Sequence, residues 1–310
     1  MTSYLLFDVG GTDIKYARSD AAGNLLDVRR APTVRDAQNP AGALIKQLRA
    51  LGDELLAAAG EESTQPQAVG LLVCGIVDEE TGHGVYSANL GWRDAPLRDL
   101  ASQAFGLPVG FGHDVGTAGA AELHFGAGVD LGTKIKNSAM LVIGTGIAAA
   151  LFADGRPITA GGYAGELGHA AVPGGLDCPC GLHGCLETVG SAAAIANRYA
   201  QASGKETPGA REVLAAMHEG DLLAAKIWTE AVDALAYSIT QICAVIAPEV
   251  IIIGGGLSQA GDNLLVPLRQ AVRNKLSYQR VPEIVAAQLG QNAGLRGAYL
   301  KAFKTRKFNS

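Results

Sequence analysis

Residues 4–7 form a continuous apolar run that breaks at Asp8, and Val9 then leads into Gly10-Gly11-Thr12. A short apolar run closed by glycines predicts a buried strand that ends in a turn. Residues 14–19 predict a second strand. Gly23-Asn24 predicts a hairpin-type turn before a third strand at 25–29, so the chain opens as a β-meander. Over 40–60, Leu44, Ile45, Leu48, Leu51, Leu55 and Leu56 recur at helical spacing, and 68–73 is again continuously apolar, as a buried strand requires. A helix is expected over 115–124. The opening pattern then returns: a strand at 138–143, a Gly144-Thr145-Gly146 turn, and strands at 147–152 and 156–159 joined across Ala153-Asp154-Gly155. Strand, Gly-Thr turn, strand thus occurs twice, a weak internal repeat. Three helical stretches follow over 191–247, with breaks near 204–209 and 220–221. After them come a strand at 250–253 ending in Gly254-Gly255-Gly256, a helix over 267–276, a strand at 284–287 and a closing helix over 293–303.

These elements predict an α/β protein, and 310 residues exceed the size at which a single core usually stops growing. Two lobes are expected: 1–113, joined by the closing helix 293–310, and 114–292. Hydrophobic residues at 48% and charged residues at 18% allow large cores and exclude a disordered chain. The net charge of -5 comes without a basic stripe, which argues against nucleic acid and against an anionic membrane surface. Residues 1–7 lack a basic flank, and no apolar run reaches spanning length, so a cytoplasmic protein without a membrane segment is expected. The basic tail over 301–307 reads as solvated. The 41 glycines cluster in turns, which suggests loops that approach a small ligand closely.

Chemistry concentrates in three places. Five cysteines include three within the eight residues 178–185, and Gly165-Glu166-Leu167-Gly168-His169 precedes them. His169, Cys178, Cys180 and Cys185 supply four soft ligands, enough to close a tetrahedral zinc shell, although His183 competes for the histidine place. A shell with four protein ligands has no open position for water. The zinc loop 166–187 is therefore structural, and the chemistry belongs to Glu166 and Glu187 beside it. Cys74 and Cys243, isolated in apolar segments, are expected in the core. Secondly, the glycine turns after apolar strands can offer backbone N–H groups to phosphate. Residues 144–149 approximate a dinucleotide fingerprint, but the hairpin-like continuation argues against that fold. Thirdly, Asp114 stands at the head of a helix, where an aspartate is either a cap or a base placed for proton transfer.

Asp8-Val9-Gly10-Gly11-Thr12, Asn89-Leu90-Gly91-Trp92, Asp114-Val115 with its Gly-Thr-Ala-Gly-Ala-Ala-Glu continuation, the segment from Glu166 to Glu187, and Ile253-Gly254-Gly255-Gly256 together resemble the ROK family of bacterial sugar kinases over nearly the whole chain. The resemblance implies an actin/hexokinase-like (ribonuclease H-like) fold of two α/β lobes with sugar and ATP in the cleft, assembled as a homodimer or homotetramer. It implies a glucokinase-like enzyme that phosphorylates a hexose, glucose first, at the 6-hydroxyl, with Asp114 as general base. By position, Asn89, His113, Asp114, Glu166, His169 and Glu187 would meet the sugar. Gly10, Gly11, Thr12, Gly144, Thr145 and Gly146 would hold the phosphates, Asp8 would orient Mg²⁺ through water, and Gly254, Gly255 and Gly256 would lie against the adenosine. Two positions depart from the family pattern. His113 replaces the asparagine that usually precedes the aspartate, which leaves the sugar open among N-acetylmannosamine, allose, fructose, mannose and β-glucosides. Asp13 replaces a lysine after the glycine turn, with Lys15 as a partial substitute, and polyphosphate remains an alternative donor. The family also includes DNA-binding regulators, which would add a segment ahead of Tyr4, and a silent sugar sensor would bind sugar without turnover.

Overall fold

The computed structural model describes residues 3–60, 65–131 and 135–309, with the side chains of 307–309 left aside. The side chain of Lys307, part of the expected basic tail, lies outside the described residues, as do Met1, Thr2 and Ser310. Two compact units emerge: residues 1–125, 159–164 and 291–310 form the first, and 126–158 and 165–290 the second.

The first unit contains β1 (Ser3–Val9), β2 (Asp13–Ser19), β3 (Leu25–Pro32), α1 (Pro40–Ala58), β4 (Pro66–Val73), β5 (Ile76–Asp78), β6 (His83–Ser87), β7 (Trp92–Ala95), α2 (Leu97–Phe105), β8 (Val109–His113) and α3 (Asp114–Phe125). Its main sheet runs β3-β2-β1-β4-β8, antiparallel through the meander and parallel from β1 to β8. The apolar run in β1 is continuous because both faces are covered. Leu5, Phe7 and Val9 join a core with Leu48, Leu71 and Phe105, while Tyr4 and Leu6 face a second with Leu72, Leu295 and Tyr299. Helix α1 starts where its sequence says it should: Asn39 Oδ1 accepts from the Gly42 N–H at 3.0 Å, and Pro40 fills the first helical position.

The second unit contains α4 (Ala127–Asp130), β9 (Ser138–Ile143), β10 (Ile147–Ala153), β11 (Arg156–Pro157), β12 (Ala171–Asp177), β13 (His183–Cys185), α5 (Glu187–Gly190), α6 (Ala192–Ser203), α7 (Ala210–His218), α8 (Leu222–Ile246), β14 (Val250–Gly254), α9 (Asp262–Lys275) and β15 (Glu283–Ala286). Its sheet, β11-β10-β9-β14-β15, repeats the plan of the first: an antiparallel hairpin continued by parallel strands. The internal repeat read from the sequence is therefore a repeat of topology, and the turn at 144–146 joins an antiparallel hairpin rather than a strand and a helix. The helical region opens on a cap and breaks at two more: Ser191 Oγ accepts from Ala194, Gly204 ends α6 at φ +69, and Asp221 Oδ1 accepts from Leu223 and Ala224.

The last helix, α10 (Ala293–Asn309), packs against β1, β4, β8 and α3 and so returns to the first unit. This packing moves the expected boundary. The break comes after Phe125 rather than after His113, because α3 lies against α10 and stays with it. Helix α9 begins at Asp262 rather than at Pro267. A proline inside a helix deprives the carbonyl four residues earlier of its partner, and here Trp228 Nε1 donates to that Asn263 carbonyl at 3.1 Å. Among the described residues no helix is long and apolar enough to cross a membrane.

Candidate active site

In the first unit the candidate residues collect at the carboxyl ends of β1 and β8, the end at which parallel sheets usually bind ligands. Asp8 lies opposite Lys15 in the β1–β2 ladder, and Lys15 Nζ pairs with Asp8 Oδ2 at 3.5 Å. Lys15 is thus engaged by Asp8 rather than extended over the glycine turn. Burial pushes the Asp8 carboxyl up to about 6, against the pull of Lys15 and with the charge of Asp114 adding to the rise. The turn at 10–12 packs against Asn89, since a Cβ at Gly11 would lie 2.9 Å from the Asn89 Cβ.

β8 delivers His113 and Asp114 to the head of α3. The capping role that an aspartate there could fill belongs instead to its neighbour: His113 Nδ1 accepts from the Gly116 N–H at 3.2 Å. That bond fixes the ring tautomer, so the proton sits on Nε2, which faces Asp114 Oδ1 at 3.2 Å. Oδ1 also accepts the Val115 N–H at 2.7 Å. Oδ1 therefore carries one hydrogen-bond donor with the ring beside it, and Oδ2 has no hydrogen bond from the described residues. Burial raises the Asp114 pKa, and the His113 ring works against that rise. His113, expected against the sugar, has Nδ1 bonded to Gly116 and Nε2 beside the Asp114 carboxylate.

Beneath this pair lies a support that sequence reading misses. The His113 N–H donates to Glu79 Oε1 at 3.1 Å, and Glu79 Oε2 pairs with Lys301 Nζ from α10. Glu79 sits in Asp78-Glu79-Glu80-Thr81, which reads as an ordinary polar turn, and nothing in its spacing points to His113. Cys74 offers no competing nucleophile, because burial pushes its thiol up to about 12.

In the second unit the turns at 144–146 and 254–256 follow β9 and β14, which are paired neighbours. Gly255 reaches the end of β9, where a Cβ would lie 2.4 Å from the Ile143 carbonyl oxygen. Glu187, at the head of α5, accepts the Ile147 N–H on Oε2 at 2.8 Å, and Oε2 stands where a Cβ of Gly146 would point. Glu166 is exposed in the turn that carries His169, and that turn is docked by the Ala149 N–H on the Gly165 carbonyl at 2.8 Å.

The ligand atoms of His169, Cys178, Cys180 and Cys185 all lie within 4.8 Å of one another. Cys178 Sγ is 3.7 Å from His169 Nδ1, and Cys180 Sγ is 3.7 Å from Cys185 Sγ. Sulfurs bound ~2.3 Å from one tetrahedral centre lie ~3.8 Å apart, so the donor set fits a single tetrahedral cation. His183 does not compete, because its Nδ1 pairs with Asp177 Oδ1 at 2.8 Å on the outside of the hairpin. Since Nδ1 of His169 faces the thiols, its Nε2 is turned to the other side of the ring.

The chain is similar to known sugar kinases over nearly its whole length. The chain is 32% identical to a glucokinase of Halalkalibacterium halodurans, over 95% of this chain and 93% of that one. It is 30% identical to an N-acetyl-D-glucosamine kinase of Escherichia coli O157:H7, over 95% and 97%. A solved ROK family glucokinase from Streptomyces griseus, in complex with glucose and AMPPNP, superposes with a TM-score of 0.76 at 27% identity, covering 98% of this chain and 99% of that one. The ROK family model matches residues 4–304, and the chain belongs to the ROK family.

Proposed function

We propose that this sugar kinase transfers the γ-phosphoryl group of Mg-ATP to the 6-hydroxyl of a hexose, glucose first, with Asp114 as the base. The observation that carries the reading is the asymmetry of the Asp114 carboxylate. The Val115 N–H bonds Oδ1 and the His113 ring lies beside it at 3.2 Å, which leaves Oδ2 to take a proton. As the sugar oxygen attacks phosphorus, its O–H bond breaks toward Oδ2, the new O–P bond forms, and the bond to the β-phosphate oxygen breaks to release ADP. Proton transfer of this kind contributes about 10²–10⁴-fold, and the remaining rate comes from alignment and charge.

The other residues serve these needs. The N–H groups of the turns at 10–12 and 144–146 would hold phosphate oxygens, and Gly254, Gly255 and Gly256 would lie along the adenosine. Asn89, Glu166, Glu187 and the outward Nε2 of His169 would bond sugar hydroxyls. Asp8 would hold Mg²⁺ through water, and the bound ion supplies neutralisation of the phosphate charge. Zinc on His169, Cys178, Cys180 and Cys185 would tie the β12–β13 hairpin to the turn bearing Glu166, fixing the ring of His169. The kinship with a glucokinase favours glucose, and that with an N-acetylglucosamine kinase makes the 2-acetamido sugar the second candidate.

A coupled ADP-release assay with Mg-ATP across glucose, mannose, fructose, allose and the N-acetylated hexosamines tests this, with polyphosphate as a second donor and zinc measured in the same preparation. One sugar turned over by the wild type and lost in Asp114→Asn is the expected result. Turnover surviving in Asp114→Asn would remove the base, and sugar binding without ADP release would remove phosphoryl transfer.

A further inference from the structure

Asp13 stands beside the 10–12 turn where a cation would suit a phosphate, and the nearby cations are engaged: Lys15 by Asp8 at 3.5 Å, and Arg30 by Asp13 itself at 3.3 Å. The cation that touches the turn is Arg35, from the segment between β3 and α1. Its Nη2 donates to the Gly11 carbonyl at 2.9 Å. The same segment makes two more bonds to the turn: Thr33 Oγ1 donates to the Gly10 carbonyl at 2.9 Å, and the Thr33 N–H to the Thr12 carbonyl at 2.9 Å. Three consecutive carbonyls are thereby drawn to one side. In a planar trans peptide the N–H points opposite to its carbonyl, so the N–H groups of Gly11 and Thr12 are turned the other way. Neither has a hydrogen-bond partner among the described residues. Successive N–H groups on one side of a turn form a concave anion site.

We propose that Thr33 and Arg35 clamp the 10–12 turn into this nest, with Arg35 as a positioning residue whose bond to the Gly11 carbonyl aims the Gly11 and Thr12 N–H groups at the phosphate chain of a nucleoside triphosphate or of inorganic polyphosphate. The inference rests on the reading of the turn as the donor-phosphate site. One guanidinium N–H holds the Gly11 carbonyl from the side opposite the nest, so Arg35 acts through the backbone rather than on the phosphate itself. The side chain thus shapes the backbone nest from a position remote in sequence from the turn.

Calorimetric binding of Mg-ATP and of inorganic tripolyphosphate to the full-length protein tests the clamp, with wild type, Arg35→Met, Arg35→Gln and Arg30→Met compared. Arg35→Met is expected to weaken the phosphate chain about tenfold, and glutamine, which retains an N–H for the Gly11 carbonyl, to recover part of that loss. Should the methionine variant not fold, binding by Arg35→Gln weaker than wild type reads the same clamp, with Arg30→Met unchanged and the KM of the sugar within about twofold of wild type. Loss for both ligands marks the shared chain as the ligand, and loss for Mg-ATP alone assigns the site to the nucleotide. Unchanged binding of both, or a rise in sugar KM in place of the loss, overturns the proposal. The binding arm needs no turnover. A protein that binds tripolyphosphate through Arg35 but phosphorylates no sugar would sink the kinase reading and leave the clamp standing.

Discussion

At the scale of single residues, the chemistry depends on which atom of a side chain is already engaged. Asp114 and His113 are adjacent in sequence, and the motif points to the aspartate. It does not show that the histidine ring accepts from Gly116 and presents Nε2–H to Oδ1. Nor does it show that Glu79 and Lys301, from distant segments, hold the strand end beneath them. Those roles follow from tertiary placement, which periodicity does not encode. A base at Asp114 must be ionised to act, and burial raises the pKa of that carboxyl, so on the proposed mechanism the acid limb of kcat is expected above the ordinary carboxylate value of 3.8. His113→Asn keeps an oxygen acceptor for the Gly116 N–H but removes the ring N–H from Oδ1, and the limb should move to higher pH. A pH–rate profile of the two proteins checks this, and coincident limbs would mean that the ring does not act on Asp114. The raised pKa has a stability corollary. A group that holds its proton more tightly when folded contributes stability that is full below the unfolded pKa and is lost as pH rises through the folded one. Asp114→Asn should therefore melt higher than wild type at neutral pH while losing turnover by at least about 100-fold, with the gap closing as the pH falls.

At the scale of elements, sequence was informative where the signal is local and silent where a distant partner decides. Asn39-Pro40 marks the start of α1 by itself. The start of α9 could not be read, because the carbonyl that Pro267 leaves without its helical partner finds a donor in Trp228 on α8, far off in sequence. The same division runs through Gly254-Gly255-Gly256, which reads as one uniform loop. Gly255 has φ +80 and ψ -178, a conformation essentially confined to glycine, and its Cβ would strike the end of β9. Gly256 has nothing within 4 Å of where a Cβ would stand. Gly255→Ala should cost about 1–3 kcal/mol or more of stability in a denaturant titration, as a strained conformation does. Gly256→Ala should stay within about 0.5 kcal/mol, as open surface positions do, and raise the KM of ATP if the adenosine lies there. Equal destabilisation by both would show that the turn tolerates neither, whatever its ligand.

For the whole molecule, the chain builds two cores and passes between the units after residues 125, 158, 164 and 290. The repeated sheet plan was legible because each round carries its own apolar strands and glycine turn. The boundary was not, because α3 is assigned by its packing on α10, which lies at the far end of the sequence. Helix α10 also packs closely on the sheet, backbone against backbone. A Cβ at Gly70 on β4 would lie 2.0 Å from the Ala298 carbonyl oxygen, and one at Gly110 on β8 would lie 2.3 Å from the Lys301 carbonyl carbon. These two strand glycines let α10 settle onto the sheet and cover Tyr4, Leu6 and Leu72. Even a methyl group at either position forces the helix outward, so Gly70→Ala and Gly110→Ala are each expected to destabilise by about 1–3 kcal/mol, the usual cost of overpacking. Since the core of the second unit contains no residue of α10, the loss should be unequal. Hydrogen exchange would then fall in protection over β1, β4, β8 and α3 while β9, β14 and α8 keep theirs. Equal loss in both units would mean that they unfold as one cooperative body, and that Lys301 supports Glu79 and His113 within a single folding event rather than within its own unit alone.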